Sequence, residues 1–322
     1  MLLDVRDLTT HFALDEGVLR AVDGVSFQVE RGETVALVGE SGCGKTIVAL
    51  SLLDLAPSPA RIVKGEIRFE DRDILRVPPE ELRRVRGGGI GMVFQEPAAA
   101  LNPVHSVGRQ IADVVRLHRG LSKAEAWQEA VRMLGEVGIP EPGERAAAYS
   151  HELSGGMQQR VTIAIAVSAR PRLLIADEPT TALDATVRAE ILDLLQRLRD
   201  EHGMALLIIT HDINVVERVA DRVLVMYTGR LVETGPCDVL MRAPRHPYTR
   251  GLLASRLRLG VGRTAPLEGI PGSVPDLLAL PTGCTFHPRC ELADDACRSV
   301  FPPLEPLDQD RHCACYKVND GA

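Results

Sequence analysis

The sequence predicts an α/β protein built on a parallel sheet, with two further strands ahead of it, a helical region and a cysteine-containing C-terminal extension. Three observations predict it. Gly39-Glu40-Ser41-Gly42-Cys43-Gly44-Lys45-Thr46 fits the phosphate-loop pattern G-x-x-x-x-G-K-[ST], and it lies between an apolar strand-like run at 34–38 and an apolar helical run at 47–53. Leu173-Leu174-Ile175-Ala176 is a second apolar strand that ends in the acidic pair Asp177-Glu178. Five of the seven cysteines, at 284, 290, 297, 313 and 315, crowd into a proline-rich tail.

Taken in order, residues 2–12 and 18–29 read as partly alternating strands of an edge sheet. The loop at 39–46 follows a buried strand and opens a helix, which is the context the motif requires. Glycines without Cβ let backbone N–H groups close around a β-phosphate, Lys45 places a positive charge on the β- and γ-phosphates, and the Thr46 hydroxyl can hold Mg²⁺. The expected ligand is a nucleoside triphosphate. Residues 65–69 and 90–94 read as further strands, and 97–169 as helical. Within that region Ser122-Lys123-Ala124-Glu125 is a capping box, followed by Trp127, Val131, Leu134 and Val137 near one face, with Trp127 expected in the core and Gly138 at the stop.

Asp177 is placed to orient Mg²⁺ through its water shell, and Glu178 to take the proton of an attacking water. Asp184 is a cap for a helix whose Val187, Ile191, Leu194 and Leu198 fall at helical spacing. Residues 204–209 and 223–227 complete the sheet. Between the two nucleotide motifs lies Leu153-Ser154-Gly155-Gly156-Met157-Gln158 at a helix start, a second phosphate cradle. One chain has no need of two cradles for one nucleotide, so the second is expected to serve a nucleotide on another subunit.

This arrangement resembles the signature motif of ATP-binding cassette (ABC) ATPases. The resemblance implies the ABC cassette fold: a P-loop NTPase core with a parallel sheet, an antiparallel β edge subdomain and a helical subdomain at about 97–169. It makes Gln95 the glutamine touching Mg²⁺ and the attacking water, and His211 the switch histidine at the γ-phosphate. Ala182-Leu183-Asp184 becomes the loop at the dimer interface, and Phe12 the aromatic that stacks on adenine. Gly39, Ser41, Gly42, Gly44, Lys45, Thr46 and Asp177 become the ATP and Mg²⁺ residues, with Ser154, Gly155, Gly156 and Gln158 contacting the partner's ATP. The interval from Gln95 to Leu153 is short and broken by Asn102-Pro103, Gly120 and Gly138, so no heptad-bearing coiled coil fits there, which separates this chain from chromosome-maintenance relatives.

A net charge of −7, no basic stripe and 3% aromatic residues argue against a nucleic-acid partner. No apolar run reaches about 18 residues, and the N-terminus is too charged for a signal sequence. Past residue 235, Arg245-His246-Pro247-Tyr248-Thr249 resembles the segment that follows the cassette in the oligopeptide, dipeptide and nickel branch of bacterial ABC importers, and so does Gly283-Cys284-Thr285-Phe286-His287-Pro288-Arg289-Cys290. The expected domains are 1–235, the nucleotide-binding domain, and 236–322, the extension. The branch implies a peripheral ATPase at the cytoplasmic face of the cell membrane. Its partners would be a second, non-identical ATPase subunit, two transmembrane permeases and an extracytoplasmic binding protein. Dipeptides or oligopeptides are the first substrate reading, with nickel or another small solute, or a non-transport ABC regulator, as alternatives.

A reducing compartment argues against disulfides, and the tail lacks the tight C-x₂₋₄-C hairpin favoured by zinc. Cys284, Cys290, Cys297 and Cys315 suit a [4Fe–4S] cluster, as some members of the branch carry. Zinc and buried free thiols remain open, with Cys313 as an extra thiol and His287 and His312 as spare donors. Two further expectations concern reactivity and independence. Cys43, beside Lys45 at a helix start, should have a depressed pKa and react readily if exposed, or else be a small packed residue, and replacing any one of the four tail cysteines should loosen the tail while nucleotide binding survives.

Overall fold

The computed structural model describes residues 1–181, 183–255, 269–308 and 310–319, so Ala182 of the expected interface loop lies outside the described residues. The chain forms two compact units, one of Met1–Leu2, Val29–Glu33 and Glu70–Ile209, the other of Leu3–Gln28, Thr34–Phe69 and Thr210–Ala322. The strands in chain order are β1 (Leu3–Leu14), β2 (Gly17–Val29), β3 (Thr34–Val38), β4 (Ala60–Phe69), β5 (Arg72–Asp73), β6 (Ile90–Val93), β7 (Leu173–Asp177), β8 (Ala205–Thr210), β9 (Arg222–Tyr227), β10 (Arg230–Pro236), β11 (Glu305–Pro306) and β12 (His312–Cys313).

In the first unit β6, β7 and β8 run parallel, with Val93 beside Ala176 and Asp177 beside Ile209. β7 and β8 are buried along their whole length. Strands covered on both faces carry unbroken apolar runs, which is why neither alternates in sequence. A Cβ at Gly91 of β6 would stand 2.3 Å from the Ala166 carbonyl oxygen, so the helix Gly155–Val167 lies with its backbone against the strand.

The expected helical region forms as helices Pro97–Ala100, Val107–Arg119, Lys123–Glu136, Pro142–Arg145 and Gly155–Val167. The Ser122–Glu125 capping box is present in both directions. Hydrogen bonds from Arg132, with Arg119 pairing alongside, hold the Glu129 carboxyl down at about 2, and this cluster ties the helix Val107–Arg119 to the helix Lys123–Glu136. The buried face of Lys123–Glu136 is Ala126, Ala130, Met133 and Leu134. Trp127 is 39% exposed, which corrects its expected core position. The stripe begins one residue earlier than the sequence pattern suggests, because two small alanines carry its first turns.

In the second unit β2, β1 and β4 form the edge sheet, with Leu3 opposite Phe69 and Phe12 opposite Ala60. β3 runs parallel to β9, with Val38 beside Val225. β10 returns antiparallel to β9, β12 pairs with β10, and β11 pairs with β12. The core of this unit joins Val38, Val225 and Tyr227 to Tyr248, Leu252 and Phe286. The sequence boundary near 235 therefore falls inside one compact unit, and the residues that follow share a core with the strand that carries the phosphate loop.

Candidate active site

The phosphate loop leaves the end of β3 and enters the helix Lys45–Ser51. Two of its glycines are fixed by contact as much as by torsion. A Cβ on Gly39 would lie 2.2 Å from the Met226 carbonyl oxygen, and one on Gly44, at φ +102°, would lie 2.0 Å from the Ala21 carbonyl oxygen. Only glycine permits these approaches. The backbone is thus wedged between β2 and β9, and its N–H groups are held before any ligand arrives. Ser41 and Gly42 are exposed, Gly44 and Thr46 are partly covered, and Lys45 is buried. The Lys45 ammonium donates to the carbonyl oxygens of Gly39 at 2.8 Å and Glu40 at 3.0 Å. Phe12 is half-buried near the end of β1. His211 is exposed just beyond β8, where the Asp212 carboxylate caps the helix Ile213–Val219 through the Asn214 N–H at 2.9 Å.

The other unit carries the acidic edge. Asp177 closes β7 and is buried, and Glu178 follows it at 9% exposure. Glu178 adopts φ +49°, an uncommon conformation for a residue with a side chain and one that clusters at functional sites. Its N–H donates to the Ile209 carbonyl at 2.8 Å, and its Oε2 accepts from the Thr181 hydroxyl at 2.8 Å. Register places Gln95, exposed and two residues past Val93, at the same end of the parallel strands as this pair.

Ser154 caps the helix Gly155–Val167 by accepting from the Met157 N–H, and with Gly155 it is exposed at the helix start. A Cβ on Gly156 would press on Val187 at 3.1 Å, so the signature helix lies close to the helix Ala185–His202. Gln158 spends its amide group on the carbonyls of Ser150 at 2.8 Å and Leu153 at 3.3 Å, which shapes the turn ahead of the glycines. Asp184 caps the next helix through the N–H groups of Thr186 and Val187, each at 3.0 Å. A cap of this kind contributes about 1 kcal/mol.

Cys284, Cys290, Cys297 and Cys315 line one cavity of about 20 Å³, together with Phe286 and His287. Burial, and next the mutual repulsion of their charged forms, pushes Cys284 up to about 11. Cys313 stands apart in β12, opposite Glu233. Among the described residues no group of three or more His, Cys, Asp or Glu side chains is arranged to hold a metal ion. The thiols therefore converge in kind and place, while the space between them is about that of one water.

Of the two states expected for Cys43, the structure has the packed one. It is fully buried and its pKa is raised, because burial outweighs the attraction of Lys45. The side chain packs behind the loop, where a Cβ on Gly39 would meet its sulfur at 2.8 Å. Sequence reasoning also missed Tyr248 and Arg289 as neighbours of the loop. The Glu40 N–H donates to the Tyr248 hydroxyl at 2.8 Å, and Arg289 forms an ion pair with Glu40 at 2.8 Å. The His-Pro-Tyr-Thr segment was the available signal. The native protein is expected to leave Cys43 unmodified by maleimide with or without MgATP, and to react there only after unfolding. Fast native labelling that MgATP blocks, read by peptide mass mapping, would contradict the packed position.

Residues 22–181 match the family described as ABC transporter, and residues 232–297 match the oligopeptide/dipeptide transporter C-terminal region. A peptide import ATP-binding protein of Brucella melitensis is 48% identical over 98% of this chain and 97% of its own length. The dipeptide transport ATP-binding protein DppD of Escherichia coli K12 is 42% identical over 100% and 98%. The oligopeptide transport ATP-binding protein OppD of Salmonella typhimurium is 47% identical over 98% and 94%. Among solved structures, the dimeric ATP-binding cassette MJ0796 bound to ADP and Pi gives a TM-score of 0.65 at 28% identity, covering 73% of this chain and 99% of that one. Wedged phosphate loop, acidic strand end and capped signature helix thus occur in a chain matched along nearly its full length, and it belongs to the ABC transporter family of ATP-hydrolysing subunits, in the branch with the oligopeptide/dipeptide transporter C-terminal region.

Proposed function

We propose that this chain powers import of dipeptides or oligopeptides by binding and hydrolysing ATP. The observation that carries the reading is an intact set of cassette motifs in a chain similar over nearly its whole length to peptide import subunits. The names of those relatives supply the peptide class. Residues 1–235 act as the nucleotide-binding domain, with 97–169 as its helical subdomain, and 236–322 as its extension. No described helix is long and apolar enough to cross a membrane. The chain works at the cytoplasmic face with two permeases, a second and different ATPase subunit and an extracytoplasmic binding protein.

In the proposed mechanism the loop N–H groups and Lys45 hold the phosphates, and Phe12 meets the adenine. Thr46, Gln95 and Asp177 would hold Mg²⁺, which supplies charge neutralisation on the β- and γ-phosphate oxygens. Glu178 accepts a proton from water as the water oxygen bonds to the γ-phosphorus and the bond to the bridging oxygen of ADP breaks, releasing ADP and phosphate. His211 contacts the γ-phosphate. Ser154, Gly155 and Gly156 close over the nucleotide of the partner, in a turn braced by Gln158, with Asp184 at the interface. Closure turns the permeases outward and hydrolysis resets them.

We also propose that Cys284, Cys290, Cys297 and Cys315 hold a [4Fe–4S] cluster that orders the extension. What supports it is the convergence of four thiols on one cavity and the cost of bringing their charged forms together, which a cationic iron centre offsets.

Two outcomes are expected. In the complete importer reconstituted in vesicles with a silent partner site, Glu178→Gln should cut ATP turnover and peptide uptake by about 10² or more while MgATP still binds. Near-normal turnover would remove Glu178 from the role of base. Protein purified without oxygen should be brown with about four irons per chain, and Cys297→Ser should lose the colour. Stoichiometric zinc without iron, or four unmodified thiols beside an ordered extension, would refute the cluster.

A further inference from the structure

Glu40, the second residue of the phosphate loop, is gripped from three directions within one compact unit. Its N–H donates to the Tyr248 hydroxyl at 2.8 Å. Its carboxylate meets Arg289 in two hydrogen bonds, Nη1 to Oε2 at 2.8 Å and Nη2 to Oε1 at 3.1 Å. Its carbonyl oxygen accepts from Lys45 Nζ at 3.0 Å. The first two partners belong to the C-terminal extension and the third is the phosphate-binding lysine.

Both extension partners are themselves fixed. Tyr248 is fully buried, its ring 4.6 Å from that of Tyr227 and 5.5 Å from that of Phe286. It is the second residue of the helix Pro247–Ala254, and its N–H donates to His246 Nδ1 at 3.1 Å. Arg289 is 8% exposed and also donates from Nε to the Pro271 carbonyl at 2.8 Å. Its segment is tied back to the end of β9, where the hydroxyls of Thr285 and Thr228 lie 2.6 Å apart. A paired guanidinium and carboxylate fix orientation as well as distance, so a shift of Arg289 or Tyr248 moves the backbone that presents Lys45.

We propose that Tyr248 and Arg289 are positioning residues for nucleotide binding, holding Glu40, and through it Lys45, in the geometry that accepts the phosphates. The C-terminal extension is then a working part of the phosphate site. This departs from the expectation, drawn from separation in sequence, that nucleotide binding survives when the tail is loosened at its cysteines. Arg289 sits next to Cys290, and Phe286, which packs on Tyr248, also lines the cysteine cavity. Whatever the thiols hold therefore bears on the loop through the same contacts. The inference rests on the reading of residues 39–46 as an ATP cradle.

The test is MgATP binding by the full chain, followed with a fluorescent ATP analogue, together with ATPase kinetics of the assembled importer. Tyr248→Phe keeps the buried ring and removes only the acceptor for the Glu40 N–H. It should raise the nucleotide Kd and KM on the order of tenfold, with maximal rate at saturating MgATP changed less than twofold and the thermal midpoint near wild type. Arg289→Ala should weaken binding similarly, and combining it with Glu40→Gln should add little, since both act through one ion pair. Should Arg289→Ala unfold the extension, Tyr248→Phe decides alone. A wild-type chain that binds MgATP while Tyr248→Phe binds it equally well overturns the inference. A wild-type chain that binds no MgATP overturns the ATP reading, and the inference with it.

Discussion

The contact between the backbone at Gly39 and Gly44 and the carbonyl oxygens of Met226 and Ala21 is the constraint on which the function depends. No side chain fits at either position, so the loop between β3 and its helix takes a path set by the neighbouring strands. A preset path matters because phosphate binding by backbone N–H groups is weakened by any freedom the loop must lose on binding. The same wedge buries Lys45 and points its ammonium at two loop carbonyls. Under the proposed function, an ammonium already held beside the loop would have a short way to go to meet phosphate oxygens.

Much of this was legible in the sequence, for physical reasons. β7 and β8 are covered on both faces, and a short unbroken apolar run is the pattern such a strand requires. Ser122, Asp184 and Gly138 mark helix ends because capping chemistry is local, and each acts where the spacing puts it. The acidic pair at the end of β7 is readable since an apolar strand that stops on Asp177-Glu178, in a sequence that also carries a phosphate-loop pattern, has few other uses.

What was not legible depended on tertiary contact. The reactivity that Cys43 would have if exposed follows from its neighbours in sequence, yet burial decides it, and the packing around it involves residues distant in sequence, with the Gly229 N–H donating to the Cys43 carbonyl at 2.9 Å. Trp127 was placed on the wrong side of its helix because alanines carry no strong apolar signal. Tyr248 stood out as part of a segment resembling one branch of importers, but nothing in eight helical residues tells which way a tyrosine points. The four cysteines were grouped by spacing and, for Cys315, by the resemblance to the importer branch, and their convergence on a single cavity is a fact of the fold.

The chain thus divides its labour by chemistry. Glycines and Lys45 make a cradle, Asp177 and Glu178 supply carboxylates at the end of a parallel strand, and the Ser154-capped helix presents an exposed start. The claim that ties these together is that residues 39–46 bind MgATP. Isothermal titration of the purified chain and of Lys45→Ala tests it most directly. Saturable binding near one MgATP per wild-type chain is predicted, weakened about a hundredfold or more by Lys45→Ala, a loss expected of a buried charged partner. Equal affinity in the two proteins, or no binding by the wild type, would contradict it.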